Sequence, residues 1–149
     1  MRIVVQRVNE ASVSVDDQVI GEIRKGIMVF VGFEESDNKT DYDYMIKKIL
    51  GLRIFEDKEG KMNLSVLDIF GGILIVPNFT LYGDVRKGFR PSFSSSCPVE
   101  LAKKYYDEFI EKITKSFPLV ETGIFQADMK VNLLNDGPVT ILLDSKRLF

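Results

Sequence analysis

Two uninterrupted apolar runs constrain the fold of this 149-residue chain more than any other feature. The first, Gly26-Ile27-Met28-Val29-Phe30-Val31-Gly32, lies between glycines, and the second, Ile73-Leu74-Ile75-Val76, follows two glycines and stops at Pro77. A strand with one face in water alternates apolar and polar residues, so an unbroken apolar run indicates a strand that is covered on both faces. We therefore predict buried strands at both runs, the first of them central in its sheet.

The remaining strands are predicted from alternation and from turn residues. Residues 2–8 form the opening strand, and residues 11–15 alternate as a half-buried strand that returns through residues 19–23 after an Asp16-Asp17 turn. Residues 53–55 form a short strand before a polar turn at residues 56–61. The tail contains two more strands, residues 129–134 and 139–144, with Asn135-Asp136-Gly137-Pro138 as the turn between them.

Two helices complete the prediction. Residues 40–52 carry apolar residues near helical spacing, with Asp37 or Thr40 available as a cap. The second helix has Pro98 in its first turn and an aromatic stripe that ends at Phe117. Together these elements predict a single α+β domain over residues 1–149. Its strands are mostly antiparallel and lie in two packed, barrel-like sheets, with two helices over one sheet in three β/β/α layers.

Composition excludes several kinds of site. The chain has no histidine, which removes the Ser-His-Asp triad, the Cys-His dyad and imidazole-ligated metal centres. Cys97 is the only cysteine, so internal disulfides and thiolate clusters are excluded, and we interpret it as a small residue beside a helix start. No apolar run approaches the roughly 20 residues of a membrane span, and the N-terminal residues lack a signal sequence. We expect a cytoplasmic protein that needs no metal or cofactor.

Charge favours nucleic acid only at one place. The net charge is −2 and the sequence pI is about 5.3, so the whole molecule offers no attractive field to a polyanion. Arg86, Lys87 and Arg90 form the one candidate basic patch, with Tyr82, Phe89 and Phe93 nearby. Cations interleaved with aromatic rings suit a single-stranded RNA end, although a solvated loop gives the same pattern.

The run Pro77-Asn78-Phe79-Thr80-Leu81-Tyr82-Gly83-Asp84 begins where a buried strand ends. Thr80 carries its only aliphatic hydroxyl, and the N–H groups of Phe79 and Thr80 can point at one oxygen and so favour acyl transfer. Threonine also commonly stabilises a turn, and that reading stays open. No general base that would make Thr80 a nucleophile is visible in the sequence.

The Gly137-Pro138 pair also has two readings. It either forms a tight turn or carries a cis bond that presents backbone carbonyls as a wall able to distinguish chirality. Its partners cannot be identified from the sequence.

In the order and type of its motifs the chain resembles the D-aminoacyl-tRNA deacylases, the D-tyrosyl-tRNA deacylase family, over nearly its whole length. The matching residues are Met1 to Val8, Ala11-Ser12-Val13, Leu52 to Asp57, Gly60-Lys61-Met62-Asn63, Phe79 to Asp84, Lys87-Gly88, Arg90-Pro91-Ser92-Phe93, Thr122-Gly123, Asn135 to Thr140 and Leu142-Leu143-Asp144-Ser145.

The resemblance implies an enzyme for proofreading in translation. It implies a homodimer that hydrolyses the ester between a D-amino acid and the 3′-terminal adenosine of tRNA, and that also removes glycine from alanine tRNA. A cis Gly137-Pro138, held by Arg7, would enter the partner's pocket and reject L side chains. Asn78, Phe79 and Thr80 would form the catalytic site with help from the RNA's 2′-hydroxyl.

By the same resemblance Met129 would border the substrate, and Arg86, Lys87 and Arg90 would contact RNA. Two departures from the family pattern stand out. Pro77-Asn78 replaces the usual Ser-Gln, and Gln126 replaces a small residue. Two other functions remain open: a non-catalytic module that binds RNA ends, and a threonine-dependent esterase that acts on small acyl esters without tRNA.

Overall fold

The computed structural model describes residues 1–149 and shows eight strands and two α-helices. A 3₁₀ helix, Phe79–Tyr82, follows the sixth strand. No helix is both long and apolar enough to cross a membrane. The elements in chain order are β1 (Arg2–Val15), β2 (Gln18–Ile23), β3 (Gly26–Gly32), α1 (Lys39–Gly51), β4 (Phe55–Glu56), β5 (Met62–Leu64), β6 (Gly72–Pro77), α2 (Val99–Ser116), β7 (Val120–Thr122) and β8 (Lys130–Asp144).

The first strand organises the main sheet. β1 pairs antiparallel with β8 along one edge, and with β3 and then β2 along the other edge. β3, β6 and β7 continue the sheet in parallel, and β2 curls back towards β7: a Cβ built on Gly21 would lie 3.2 Å from the carbonyl oxygen of Thr122. The mostly antiparallel α+β character is confirmed. The expected two sheets are instead one nearly closed, barrel-like sheet plus the small β4–β5 pair, because the 14-residue β1 is long enough to serve both halves.

The prediction that both apolar runs are covered on both faces is confirmed. Ile27, Val29, Ile73 and Ile75 belong to the larger core, which the two helices cover. Met28, Leu74 and Val76, on the opposite faces of the same strands, belong to a second core inside the curled sheet. Each such side chain contributes roughly 1.5–3 kcal/mol by leaving water, so these two strands hold the layers together.

The helices lie close to their predicted positions, with one correction. Asn38, rather than Asp37 or Thr40, is the N-cap of α1: its Oδ1 accepts from the N–H of Thr40 at 2.9 Å, and Asp41 accepts from the N–H of Asn38. Asp37 is buried and instead binds the α-ammonium group of Met1. The aromatic stripe of α2 is core, as predicted, because Tyr106, Phe109 and Ile113 are buried.

The predicted turn at residues 135–138 is wrong. β8 runs antiparallel to β1 on both sides of this segment, so its two halves point in the same direction. Gln6 pairs with Thr140 and Val8 pairs with Asn135, which leaves residues 136–139 opposite the single residue Arg7. The segment is therefore a large β-bulge in which four residues of β8 lie opposite one residue of β1. Turn-forming residues identify where a strand is interrupted, but they do not determine whether the chain reverses.

Candidate active site

A cleft of about 580 Å³ lies where β3 and β6 end, between the 3₁₀ helix, the start of α2 and the segment before β8. This volume is in the range of small-ligand sites. Most of its lining is apolar, with Phe79, Phe93, Phe125 and Met129 among the side chains. The polar residues of the lining are Asn78, Ser96 and Gln126.

One wall of the cleft consists of Pro77, Asn78 and Phe79, the first part of the run that the sequence singled out, whereas Thr80 is exposed and lies outside the lining. β6 ends at Pro77, and the N–H of Asn78 still donates to the carbonyl of Val31 in the neighbouring strand at 2.7 Å. Asn78 then caps the 3₁₀ helix, because its Oδ1 accepts from the N–H of Thr80 at 3.1 Å and from the Thr80 hydroxyl. The loop is thus fixed to the core on one side and by its own cap on the other.

The cap makes the two backbone amides of this wall inequivalent. The N–H of Thr80 is already bonded to Asn78, whereas the N–H of Phe79 takes no part in the cap. Because an N–H can only donate, the atom facing Thr80 must be Oδ1 of Asn78, which leaves the Nδ2 amino group without a partner in the chain. The hydroxyl of Thr80 binds no carboxylate, lysine or N-terminus that could take its proton.

The opposite wall is anchored to β6. Gly123 donates to the carbonyl of Ile75 at 2.8 Å, and its own carbonyl accepts from the Tyr106 hydroxyl at 3.1 Å. A Cβ on Gly123 would lie 2.7 Å from the sulfur of Met129, so the Met129 side chain packs directly against Gly123 and would have to shift if a larger residue stood there. Gln126, in the turn between them, has φ of +64°. Met129 and Asn78 therefore line the same cleft.

Arg7, Gly137 and Pro138 form a separate cluster. The Arg7 guanidinium is buried: it donates to the carbonyl of Ile54 at 2.7 Å and pairs with the Asp136 carboxylate at 3.0 Å. A Cβ on Gly137 would lie 2.9 Å from Nη2 of Arg7, so the two are in contact. Gly137-Pro138 is a cis peptide with both residues exposed. None of the three lines the cleft of its own chain.

The candidate RNA-binding loop holds one neutralised and two free cations. Arg86 forms two hydrogen bonds with Asp84, at 2.9 and 2.7 Å, and these bonds lower the pKa of Asp84 to about 2. Lys87 and Arg90 are exposed and make no ion pair, and Phe89 beside them is fully exposed. The free charge of this loop therefore comes from Lys87 and Arg90.

Two residues of the site carried no functional signal in the sequence. Cys97 is buried beside the start of α2, as interpreted, but it also lines the cleft, and burial raises the pKa of its thiol to about 11. The Ser96 hydroxyl donates to the carbonyl of Phe79 at 3.2 Å and so ties the segment before α2 to the wall that follows β6. Only tertiary structure brings these residues to Phe79.

Comparisons with known proteins agree with one another. A family model described as D-Tyr-tRNA(Tyr) deacylase matches residues 4–144. Proteins named D-aminoacyl-tRNA deacylase from Thermosipho melanesiensis and Fervidobacterium nodosum are 59% and 56% identical, each over 100% of both chains. A solved structure named c-Myc DNA Unwinding Element Binding Protein has a TM-score of 0.92 at 43% identity, covering 97% of this chain and 98% of that one.

A second solved structure, of a probable eukaryotic D-amino acid tRNA deacylase, has a TM-score of 0.82 at 20% identity, over 95% of this chain and 97% of that one. At this identity the likeness concerns the fold alone.

Proposed function

The chain belongs to the D-Tyr-tRNA(Tyr) deacylase family, and we infer from this that it is a D-aminoacyl-tRNA deacylase, a hydrolase that releases D-amino acids from tRNA. The observation that carries the inference to this chain's own residues is the cleft between the Asn78–Thr80 cap and Met129. It offers apolar walls for an aminoacyl ester and hydrogen-bond donors at one end.

The chemistry requires little from the protein. Water adds to the ester carbonyl and loses a proton, which gives a tetrahedral oxyanion. The oxyanion collapses as the bond to the ribose oxygen breaks, and the ribose oxygen takes up a proton. An aminoacyl ester is already activated, so stabilising the oxyanion and positioning the ester supply the acceleration. We assign the oxyanion to the N–H of Phe79 and the Nδ2 amino group of Asn78, the two donors that the cap leaves free. One such donor is worth about 10²–10³ in rate.

Thr80 is not the nucleophile in this proposal. Its hydroxyl proton is directed at Asn78, and no base contacts it. Its oxygen lone pairs remain available to accept a hydrogen bond from the substrate. The terminal 2′-hydroxyl of the tRNA, adjacent to the ester, assists the attack of water instead. This assignment explains how a chain without histidine performs hydrolysis.

Chirality is read by a second subunit. Gly137 and Pro138 are exposed, rigidly backed by the buried Arg7, and absent from the cleft of their own chain. In a homodimer they reach the partner's cleft and exclude L side chains, while D side chains and glycine pass. Discrimination by exclusion accepts D-amino acids of different size and releases glycine mischarged on alanine tRNA.

The free cations Lys87 and Arg90 approach the phosphates near the 3′ end of the tRNA, with a smaller contribution from Arg86, whose charge Asp84 offsets. We propose that the enzyme is cytoplasmic, because its substrate, aminoacylated tRNA, is present in the cytoplasm.

The decisive experiment compares one tRNA charged with D-tyrosine, L-tyrosine or glycine. We expect hydrolysis of the D-tyrosyl and glycyl esters and no acceleration for the L-tyrosyl ester. Equal rates for both enantiomers would refute exclusion of L side chains. Binding of the tRNA without turnover would favour the RNA-end binding module, and turnover of small acyl esters without tRNA would favour the threonine-dependent esterase.

A further inference from the structure

Gln126 has a backbone conformation that glycine would adopt with less strain. Its φ of +64° lies in the left-handed region, and the N–H of Ala127 donates to the carbonyl of Ile124 at 3.3 Å, which places Gln126 third in a four-residue turn. Turns with positive φ at the third residue favour glycine or asparagine there. A bulky side chain in such a position is a reason to look for function.

The turn holds this side chain at a fixed place. Gly123, immediately before the turn, is hydrogen-bonded to Ile75 and to Tyr106, and Met129 after the turn packs against Gly123. Ile75 and Tyr106 are buried in the core, so the turn is anchored to the most rigid part of the fold. Site residues on such anchored segments keep a defined geometry.

The amide of Gln126 is unused within the chain. The residue lines the cleft, is exposed, and makes no side-chain hydrogen bond to any protein atom. Asn78, the other amide of the cleft, has its carbonyl occupied by Thr80. Gln126 is therefore the amide of the cleft with both a donor and an acceptor available to a ligand.

The cleft that Gln126 lines also contains aromatic surfaces that suit a planar ring. Phe79 and Phe93 meet edge to face with ring centroids 5.0 Å apart, and they are 59% and 37% exposed. Exposed aromatic side chains are the usual stacking partners of unpaired bases at RNA ends. A base stacked on an apolar wall still has a polar edge, and glutamine pairs in bidentate fashion with the 6-amino group and N7 of adenine.

We propose that Gln126 is a specificity-determining residue that binds the polar edge of the 3′-terminal adenine of the substrate. The proposal rests on the deacylase function proposed above. Adenine is favoured over the amino acid side chain as its ligand because the terminal base is the same in every tRNA, whereas D side chains differ in polarity. A single amide held at a fixed position by an anchored turn suits a ligand group that is the same in every substrate.

The test measures binding without hydrolysis. The probes are amide-linked 3′-(D-aminoacylamino) nucleosides that carry either adenine or purine, which lacks the 6-amino group, with D-alanine or D-tyrosine. Kd is determined for the wild type, for Gln126→Gly and for Gln126→Glu, which keeps the acceptor and loses the donor. Gln18→Glu, at an exposed residue of β2, controls for the added charge.

We expect the wild type to bind the adenine probe about tenfold more tightly than the purine probe, since a bidentate base contact is worth about 1–3 kcal/mol. Gln126→Gly should lose this preference and bind both probes more weakly than the wild type binds the purine probe, because purine keeps N7 and the wild type keeps that contact. Gln126→Glu keeps the acceptor for the 6-amino group and loses the donor to N7, so it should still prefer adenine but bind both probes more weakly than the wild type. Gln18→Glu should match the wild type. Glycine suits a φ of +64°, so the thermal midpoint of Gln126→Gly should not fall.

An unchanged ratio of adenine to purine affinity in Gln126→Gly overturns the proposal. So does a Gln126→Gly effect that depends on D-alanine against D-tyrosine and not on the base, because that result assigns Gln126 to the side chain. The two proposals fail separately. A wild type that prefers adenine yet hydrolyses no D-aminoacyl-tRNA refutes the deacylase function, and one that hydrolyses it without base preference refutes only the role of Gln126.

Discussion

Asn78 accepts two hydrogen bonds from Thr80 through a single oxygen, one from the backbone N–H at 3.1 Å and one from the hydroxyl. This pair fixes the loop that follows β6 and directs the hydroxyl proton of Thr80 at Asn78. It also orients the free amino group of Asn78. Asn78 thus determines where the hydroxyl proton of Thr80 is directed.

We predict that Thr80→Ala retains hydrolysis of D-tyrosyl-tRNA within about tenfold of the wild type, because the proposed oxyanion donors survive. Asn78→Ala should lose about 10²-fold, since it removes both a donor and the cap. Replacing the terminal 2′-hydroxyl of the tRNA with hydrogen should cost more than Thr80→Ala. Single-turnover rates measure all three.

These rates also expose a wrong mechanism. If Thr80→Ala abolishes hydrolysis while the 2′-deoxy substrate is cleaved normally, or if an acyl group is trapped on Thr80, then the hydroxyl is the nucleophile.

The buried guanidinium of Arg7 should be more important for stability than an exposed one. Arg7→Lys cannot contact Ile54 and Asp136 in the same fork geometry, so we expect a loss of about 1–3 kcal/mol in the free energy of unfolding. Arg53→Lys is the control, because Arg53 also makes two hydrogen bonds but on the exposed surface, with Asn63. Urea unfolding compares them, and equal losses would contradict the prediction.

Replacing two buried tyrosines with phenylalanine should change the free energy of unfolding differently. The Tyr106 hydroxyl has one proton, which it donates to the carbonyl of Gly123 at 3.1 Å, with the carbonyl of Ile75 as a second acceptor at 3.3 Å, so Tyr106→Phe should lower the free energy of unfolding by about 1–2 kcal/mol. The Tyr42 hydroxyl is buried without a partner, so Tyr42→Phe should be neutral or stabilising. Thermal or urea unfolding tests both, and a larger loss for Tyr42→Phe would show that its hydroxyl has an undetected partner.

Cys97 should be unreactive although it lines the cleft. Burial raises the pKa of its thiol from 9.0 to about 11, so at pH 8 the thiolate fraction falls about a hundredfold below that of an unperturbed cysteine. We expect iodoacetamide to leave the native enzyme unmodified and active at pH 8, and to alkylate it rapidly in urea. Mass spectrometry measures the labelling, and alkylation should become faster as the pH rises towards 11. Rapid native labelling at pH 8 would show that the thiol is accessible and ionised.

Local sequence patterns predicted the elements whose identity depends on local physics. The unbroken apolar runs predicted β3 and β6 as strands with two covered faces, and the aromatic stripe predicted the buried face of α2. The end of β6 at Pro77 likewise placed the Asn78–Thr80 loop at a strand end.

Long-range relations were decided by the tertiary structure. The segment at residues 135–138 looks like a hairpin turn, yet β1 pairs with both halves of β8. Continued pairing with the 14-residue β1 stabilises β8 more than a local turn would. The cap of α1 is Asn38, and the neighbouring Asp37 instead pairs with the buried α-ammonium group of Met1, a contact between segments that only the fold brings together.

For the site, the sequence by itself determined that chemistry must proceed without histidine and that a hydroxyl and backbone amides follow a buried strand. It could not place Gln126, Cys97 and Ser96 around that strand end, since they lie on segments far apart along the chain. Which donors remain free for a substrate depends on which hydrogen bonds the fold has already formed. Only the three-dimensional structure shows that the side-chain oxygen of Asn78 accepts hydrogen bonds from the N–H and hydroxyl of Thr80, while the amino group of Asn78 stays without a partner in the chain.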